Sequence, residues 1–158
     1  MTDQAAPALS TVHGVAVAVR DAGLLLRGRS AAGKSRLAED IAAQAQLRGW
    51  FGRLIADDRV ALAERGGRVL LAPHPAIEGQ VERRGQGIFT VDHERAAVLR
   101  LVVDLVDRNA AGDHPPRLPD ADEQTTVVAG VRVPRLFLAI GEPGAAQAVL
   151  ERIDQLGA

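Results

Sequence analysis

The sequence predicts a strand-rich α/β domain with few helices. Three observations carry this. Short apolar or alternating segments recur between Gly, Pro and Asp turn signals; only two segments show helical spacing; and a Gly-rich loop joins a short apolar strand to the first of those helices. At 158 residues the chain suits one domain with a real core, since about 150 residues bury roughly 68–70% of their unfolded surface.

Residues 1–10 read as a loose tail and 11–158 as a single domain. From Thr11 to Arg20, Val12, Val15, Val17 and Val19 partly alternate with small or polar neighbours, so this stretch reads as one strand. Asp21-Ala22-Gly23 is a turn, and Leu24-Leu25-Leu26 a short buried strand broken by Gly28. Lys34 to Leu47 reads as a helix, with Leu37, Ile41 and Ala45 on one face and Gly49 as its stop. Arg53–Ala56 is a short apolar strand ending in Asp57-Asp58. Val60–Ala63 and Arg68–Ala72 form a hairpin about Arg65-Gly66-Gly67. Pro73 and Pro75 enter a loop, and Val98–Val106 is a strongly apolar strand. Residues 107–125, with Pro115, Pro116 and Pro119, form a long loop. Val131–Ile140 is the last strand and Ala145–Leu156 a terminal helix.

Charge and composition exclude several classes. With 19 basic and 20 acidic residues the net charge is -1, which does not suit a protein held to nucleic acid by phosphate neutralisation. The chain has no cysteine, so thiolate catalysis and cysteine metal sites are out. No apolar run approaches the ~18–20 residues of a membrane span. The first ten residues have neither a basic nor an apolar signal region. The expectation is a soluble cytoplasmic domain with no nucleic-acid or membrane partner; homo-oligomerisation is left open.

Gly28-Arg29-Ser30-Ala31-Ala32-Gly33-Lys34-Ser35 fits G-x-x-x-x-G-K-S, with a strand before it and a helix after it. Two glycines let the backbone wrap a polyphosphate with its N–H groups inward, and the helix N-terminus adds its positive dipole end. In such a loop the lysine reaches the β- and γ-phosphates, and the serine hydroxyl ligates Mg²⁺. Lys34 is the single lysine among the 19 basic residues, which marks a place where a planar guanidinium fails. Lys34 is expected to face solvent in the nucleotide-free loop. Nucleotide or pyrophosphate binding is the firmest reading.

Asp57 and Asp58 end an apolar strand beside this loop. Neighbouring side chains on extended backbone point opposite ways, so one carboxylate can face Mg²⁺ and the other an acceptor hydroxyl as general base. A plain Asp-Asp turn fits the same residues. In Val81-Glu82-Arg83-Arg84-Gly85-Gln86-Gly87-Ile88, Glu82 can complete the Mg²⁺ shell and Arg84 can hold a phosphoryl oxygen. A charged edge strand with a bulge would look alike. His13, before Gly14 on the first strand, suits a packed side chain or a reacting group. His74, His93 and His114 have no metal spacing and receive no role.

Taken together, His13-Gly14-Val15, the Gly28–Ser35 loop, Ala56-Asp57-Asp58-Arg59-Val60 and Glu82-Arg83-Arg84-Gly85-Gln86-Gly87-Ile88 resemble, in order and spacing, the HPr kinase/phosphorylase family over about residues 11–140. The chain looks like the family's short alphaproteobacterial form, which has the catalytic domain only. The resemblance implies a P-loop kinase fold similar to phosphoenolpyruvate carboxykinase. It implies transfer of the ATP γ-phosphoryl to a serine of the phosphocarrier HPr. In many members it also implies removal by inorganic phosphate with release of pyrophosphate. Matching positions give Asp58 as base for the serine hydroxyl and as proton donor in reverse, Lys34, His13 and Arg117 as further catalytic positions, and Ser35 and Glu82 as Mg²⁺ ligands. Asp57, Arg84, Gly85 and Gly87 fall in the same motifs.

The sequence departs from the family pattern at Arg29, where an acidic or small residue is usual, and at Arg83 and Gln86. Gln44–Gly52 reads as an insertion. After Val133-Pro134-Arg135, Leu136–Pro143 stands in place of the basic, Gly-containing loop tied to phosphorolysis, which leaves that half-reaction open. The alternatives are a small-molecule kinase on the same scaffold, which needs a closed pocket, or a nucleotide sensor without transfer, which needs no base at Asp58.

Overall fold

One long strand, β9 (Ala97–Val106), organises the sheet of the computed structural model, which describes residues 10–107 and 120–157. The other strands are β1 (Ser10–His13), β2 (Val15–Val19), β3 (Ala22–Arg27), β4 (Gly52–Ala56), β5 (Arg59–Arg65), β6 (Arg68–Pro73), β7 (Gln80–Arg83), β8 (Gly87–Thr90), β10 (Thr125–Val128) and β11 (Val131–Ala139). The helices are α1 (Lys34–Leu47) and α2 (Ala145–Gln155), with a 3-10 turn at Pro75–Ile77. The order β1-β5-β6-β9-β3-β2-β4 runs across the main sheet. β9 carries β3 in parallel along one edge. Its other edge is shared: the start pairs antiparallel with β6 and the end parallel with β11. β7 and β8 form a separate two-stranded hairpin.

The apolar run of β9 is explained by burial on both faces. Leu101, Val103 and Leu105 join a core formed with α1 and α2, whereas Leu99 and Val102 join a second core drawn wholly from strands. Leu99 and Leu101 would share a face by simple alternation. A register shift opposite Gly23 and Leu24 makes Arg100 the extra residue and reverses the phase.

Helix α1 buries Leu37, Ala38, Ile41 and Ala45. Burying a Leu or Ile fully is worth about 1.5–3 kcal/mol. Its C-terminus closes as a Schellman turn: Gly49 at φ 76° donates to Gln46 O at 2.9 Å and Trp50 N to Ala45 O at 2.9 Å. The predicted insertion, Gln44–Gly52, is therefore the last turn of α1, this cap and the start of β4. Trp50 carries the Arg20 guanidinium 3.6 Å above its ring.

Four expectations are corrected. The segment Thr11–Arg20 is two strands, because Gly14 turns the chain: its N–H donates to Asp58 O at 3.1 Å, and a Cβ there would lie 2.8 Å from Leu26 O. Hence β1 pairs with β5 while β2 pairs with β3 and β4, and Ser10, assigned to the tail, is already paired with Leu62. Pro73 is the last residue of β6 rather than the start of a loop. Thr125–Val128, of which Thr125 falls in the expected loop and the rest in no expected element, is a strand hairpinned to β11 through Ala129 and Gly130, both at positive φ. Residues 1–9 and 108–119, including His114 and Arg117, lie outside the described residues.

Candidate functional site

Four elements converge on one open cleft of about 610 Å³. The Gly28–Ser35 loop and the start of α1 form its floor. The end of β4 brings Asp57 and Asp58, the end of β1 brings His13, and the β7–β8 hairpin brings Glu82, Arg84 and Gln86.

The loop is shaped for an anion. Ala31 at φ 64° and Gly33 at φ 88° turn the backbone around. Gly33 is the N-cap of α1, no side chain caps the helix, and no acid sits in its first turn. The positive end of the helix dipole is left for a ligand. Gly28 lacks a side chain for a packing reason: a Cβ would come 3.1 Å from Leu105 O.

Lys34 overturns its expected exposure, because its side chain folds back under the loop. It is 7% exposed, and Nζ donates to Gly28 O at 3.0 Å and Arg29 O at 2.7 Å. Burial lowers its pKa, Asp58 and Asp57 oppose that shift, and Arg29 adds to it. Arg29 itself reaches away, its Nε donating to Asp107 Oδ2 at 2.8 Å. That bond, reinforced by the opposite charge, raises the Arg29 pKa and lowers that of Asp107.

The two carboxylates do face different ways. Asp57 is buried and its Oδ1 accepts from Ser35 Oγ at 2.6 Å. Asp58 sits in the left-handed region at φ 68°, a cost of about 1–3 kcal/mol for a residue with a side chain. The strain turns its carboxylate to the open rim, 3.3 Å from His13 Nδ1, with side-chain exposures of 71% and 51%. His13 is carried there by register, opposite Arg59 in the β1–β5 ladder. The pair does form a turn rather than extended strand, Arg59 N donating to Asp57 O at 2.8 Å around Asp58, and within that turn one acid is buried and hydroxyl-bonded while the other is exposed beside His13.

The donor set suits Mg²⁺. Ser35, Asp57 and Glu82 offer hard oxygens in one cleft. Among the described residues no three His, Asp or Glu side chains converge on a point. Mg²⁺ asks for little more, because it is usually held by one or two carboxylates, phosphate oxygens and water. Gly85 and Gly87, at φ 75° and 101°, shape the hairpin turn rather than touch the cleft. The sequence reading missed Arg36 and Glu39 as lining residues. Both follow the loop within the first turns of α1, which was their only signal. Glu39 pairs with Arg83 at 3.7 Å.

Fold and site together define a P-loop-type α/β domain that presents an acid and a histidine at an open rim. The family model for the HPr Serine kinase C-terminal domain matches residues 4–154, and the chain belongs to this family. Among curated relatives, the HPr kinase/phosphorylase of Chlorobium phaeobacteroides (strain BS1) is 34% identical over 140 residues, covering 84% of this chain and 39% of that protein. That of Azoarcus sp. (strain BH72) is 33% identical over 138 residues, covering 82% and 42%. The chain thus spans about two fifths of the length of these relatives. A solved structure titled Hpr(Ser) kinase/phosphatase from Coxiella burnetii matches with a TM-score of 0.71 at 21% identity, over 94% of this chain and 97% of that one. This is the strand-rich α/β fold expected from the sequence. No helix among the described residues is long and apolar enough to cross a membrane.

Proposed function

We propose that this domain transfers the γ-phosphoryl of ATP to a serine hydroxyl of the phosphocarrier HPr, with phosphate-driven removal and pyrophosphate release as the reverse-type reaction. The family membership and the names of the relatives support the substrates. The observation that carries the reading is the split of Asp57 from Asp58: one acid toward Ser35 and the loop, the other strained outward beside His13.

Each residue then has a task. The loop N–H groups and the N-terminus of α1 hold the β- and γ-phosphates. Lys34 leaves the Gly28 and Arg29 carbonyls to bridge the phosphate oxygens. Ser35, Asp57 and Glu82 would hold Mg²⁺, which neutralises phosphate charge and orients the terminal group when bound. Asp58 accepts the proton of the serine hydroxyl as its oxygen bonds the γ-phosphorus and the bond from that phosphorus to the β–γ bridging oxygen breaks to release ADP, and His13 orients the Asp58 carboxylate. Arg84 can pair with a phosphoryl oxygen from the hairpin side. The step relies mainly on positioning and charge neutralisation.

Incubation with labelled ATP, Mg²⁺ and HPr tests the reading: label on an HPr serine supports it. Label on a small metabolite only, or ATP binding with no transfer to any acceptor, overturns it.

A further inference from the structure

The β7–β8 hairpin bears Glu82, yet it pairs with no strand of the main sheet. Buried Val81 seats it on the main core and Arg83 reaches Glu39 of α1 at 3.7 Å, which leaves the base to set its angle to the acids at the end of β4. His93 occupies that place. Its Nε2 lies 2.9 Å from Glu78 Oε1, which joins the strand leaving the hairpin to the one entering it. One layer inward, Val91 N donates to Gly79 O at 2.8 Å. The two stems are close enough that a Cβ on Gly79 would fall 3.0 Å from His93 Nδ1. On its other side the His93 backbone forms a parallel bridge with Leu54 of β4, and Glu94 N donates to Leu54 O at 2.7 Å. Leu54 lies three residues before Asp57.

His93 therefore touches both arms of the cleft, one through its ring and one through its backbone. Its side chain is 23% exposed and that of Glu78 41%, so this pair is partly shielded from solvent and held by backbone on both sides. The spacing of the sequence hides this, because Glu78 and His93 are separated by the whole hairpin.

We propose that His93, clasped to Glu78, is a positioning residue that sets Glu82 against Ser35 and Asp57 for the divalent cation. It touches neither the metal nor the nucleotide; it fixes the hairpin that brings one ligand to the other two. This rests on the reading of the cleft as a Mg²⁺–nucleotide site, but not on HPr as the acceptor.

The test is a Mg²⁺ titration of ATP binding by calorimetry on the full chain, run beside a thermal melt. For His93→Ala the Mg²⁺ concentration at half-effect should rise about tenfold, the low end for a group acting through a ligand. Nucleotide affinity without Mg²⁺ should stay unchanged. His93→Gln, whose amide can still donate to Glu78, should recover to within about threefold of the parent. Glu78→Gln should shift the titration in the same direction by less. An unshifted titration in His93→Ala overturns the inference. So does an equal loss of nucleotide affinity with and without Mg²⁺, or a glutamine variant no better than alanine. Should the parent chain bind Mg²⁺–ATP yet fail to label HPr, the proposed acceptor is wrong while this test still stands.

Discussion

Lys34 donates to two carbonyls of its own loop in a space that leaves it 7% exposed. A compact ammonium fits there and, on the proposed reading, would swing to a phosphate by rotating a flexible stem; a planar guanidinium has a different shape and donor pattern. Lys34→Ala should therefore cost transfer about 10–100-fold or more, from the roughly 1.5–3 kcal/mol of a charged hydrogen bond. Lys34→Arg should be nearly as slow despite keeping the charge. Single-turnover rates with circular dichroism check both, and full activity in Lys34→Arg would refute the need for lysine. At the acid pair, Asp58→Asn should leave ATP affinity almost unchanged and slow transfer by about 10²–10⁴-fold, the usual worth of a positioned general base. A loose transition state places that loss toward the low end. Asp57→Asn should weaken Mg²⁺–ATP binding along with the rate, because it removes the acid bonded to Ser35. ATP dissociation constants for both variants decide: the opposite pattern exchanges the two roles. That the two acids face apart is expected from alternation on extended backbone, but the backbone there is a turn with Asp58 at φ 68° and Arg59 N bonded to Asp57 O, so the turn and not alternation sets the split.

Elements with strong local patterns were legible in the sequence, and those defined by their partners were not. The loop and α1 read correctly because the glycines, the helical spacing of Leu37, Ile41 and Ala45, and the Gly49 stop are all local. Val98–Val106 was visible as a strand, but the register shift at Arg100 that divides it between two cores was not. The break at Gly14 was missed because the valines on either side keep alternating; only the close approach of Leu26 O demands the glycine. Thr125–Val128 was missed because a short polar strand gains its identity from β11. His93 had no role in the sequence for the same reason: its partners are Glu78 and Leu54, both distant along the chain. The β7–β8 hairpin is the element on which the metal reading turns. Glu82→Gln removes one anionic oxygen while keeping the side chain's length. It should raise the Mg²⁺ requirement for transfer several-fold, with ATP affinity in the absence of Mg²⁺ unchanged. An unmoved Mg²⁺ titration would return Glu82 to the status of an edge-strand charge.

The whole molecule decides what kind of acceptor can reach the phosphate. Lys34 and Asp57 are buried in the cleft, while Asp58 and His13 are exposed at its edge. A kinase for a small molecule has to enclose its acceptor, since most of a small ligand's surface must be buried for useful affinity. Here the acid that would meet the acceptor hydroxyl is 71% exposed, and the described residues around it leave the rim open. The β7–β8 hairpin that brings Glu82 to the cleft also carries Ile88 at 71% exposure and Phe89 at 36%, with Arg83 4.8 Å over the Phe89 ring. An acceptor on this rim presents one hydroxyl to Asp58 and must draw its affinity from surface beyond the cleft. Folded HPr should accordingly be labelled far better than a short peptide carrying the same serine sequence, and free serine should not be labelled. The difference should fall mainly in the apparent KM for the acceptor, because the peptide offers the hydroxyl without the preformed surface that offsets the cost of association. Steady-state rates with HPr, the peptide and serine at one ATP concentration measure this. Equal kcat/KM for peptide and protein would place recognition inside the cleft and remove the argument from the open rim.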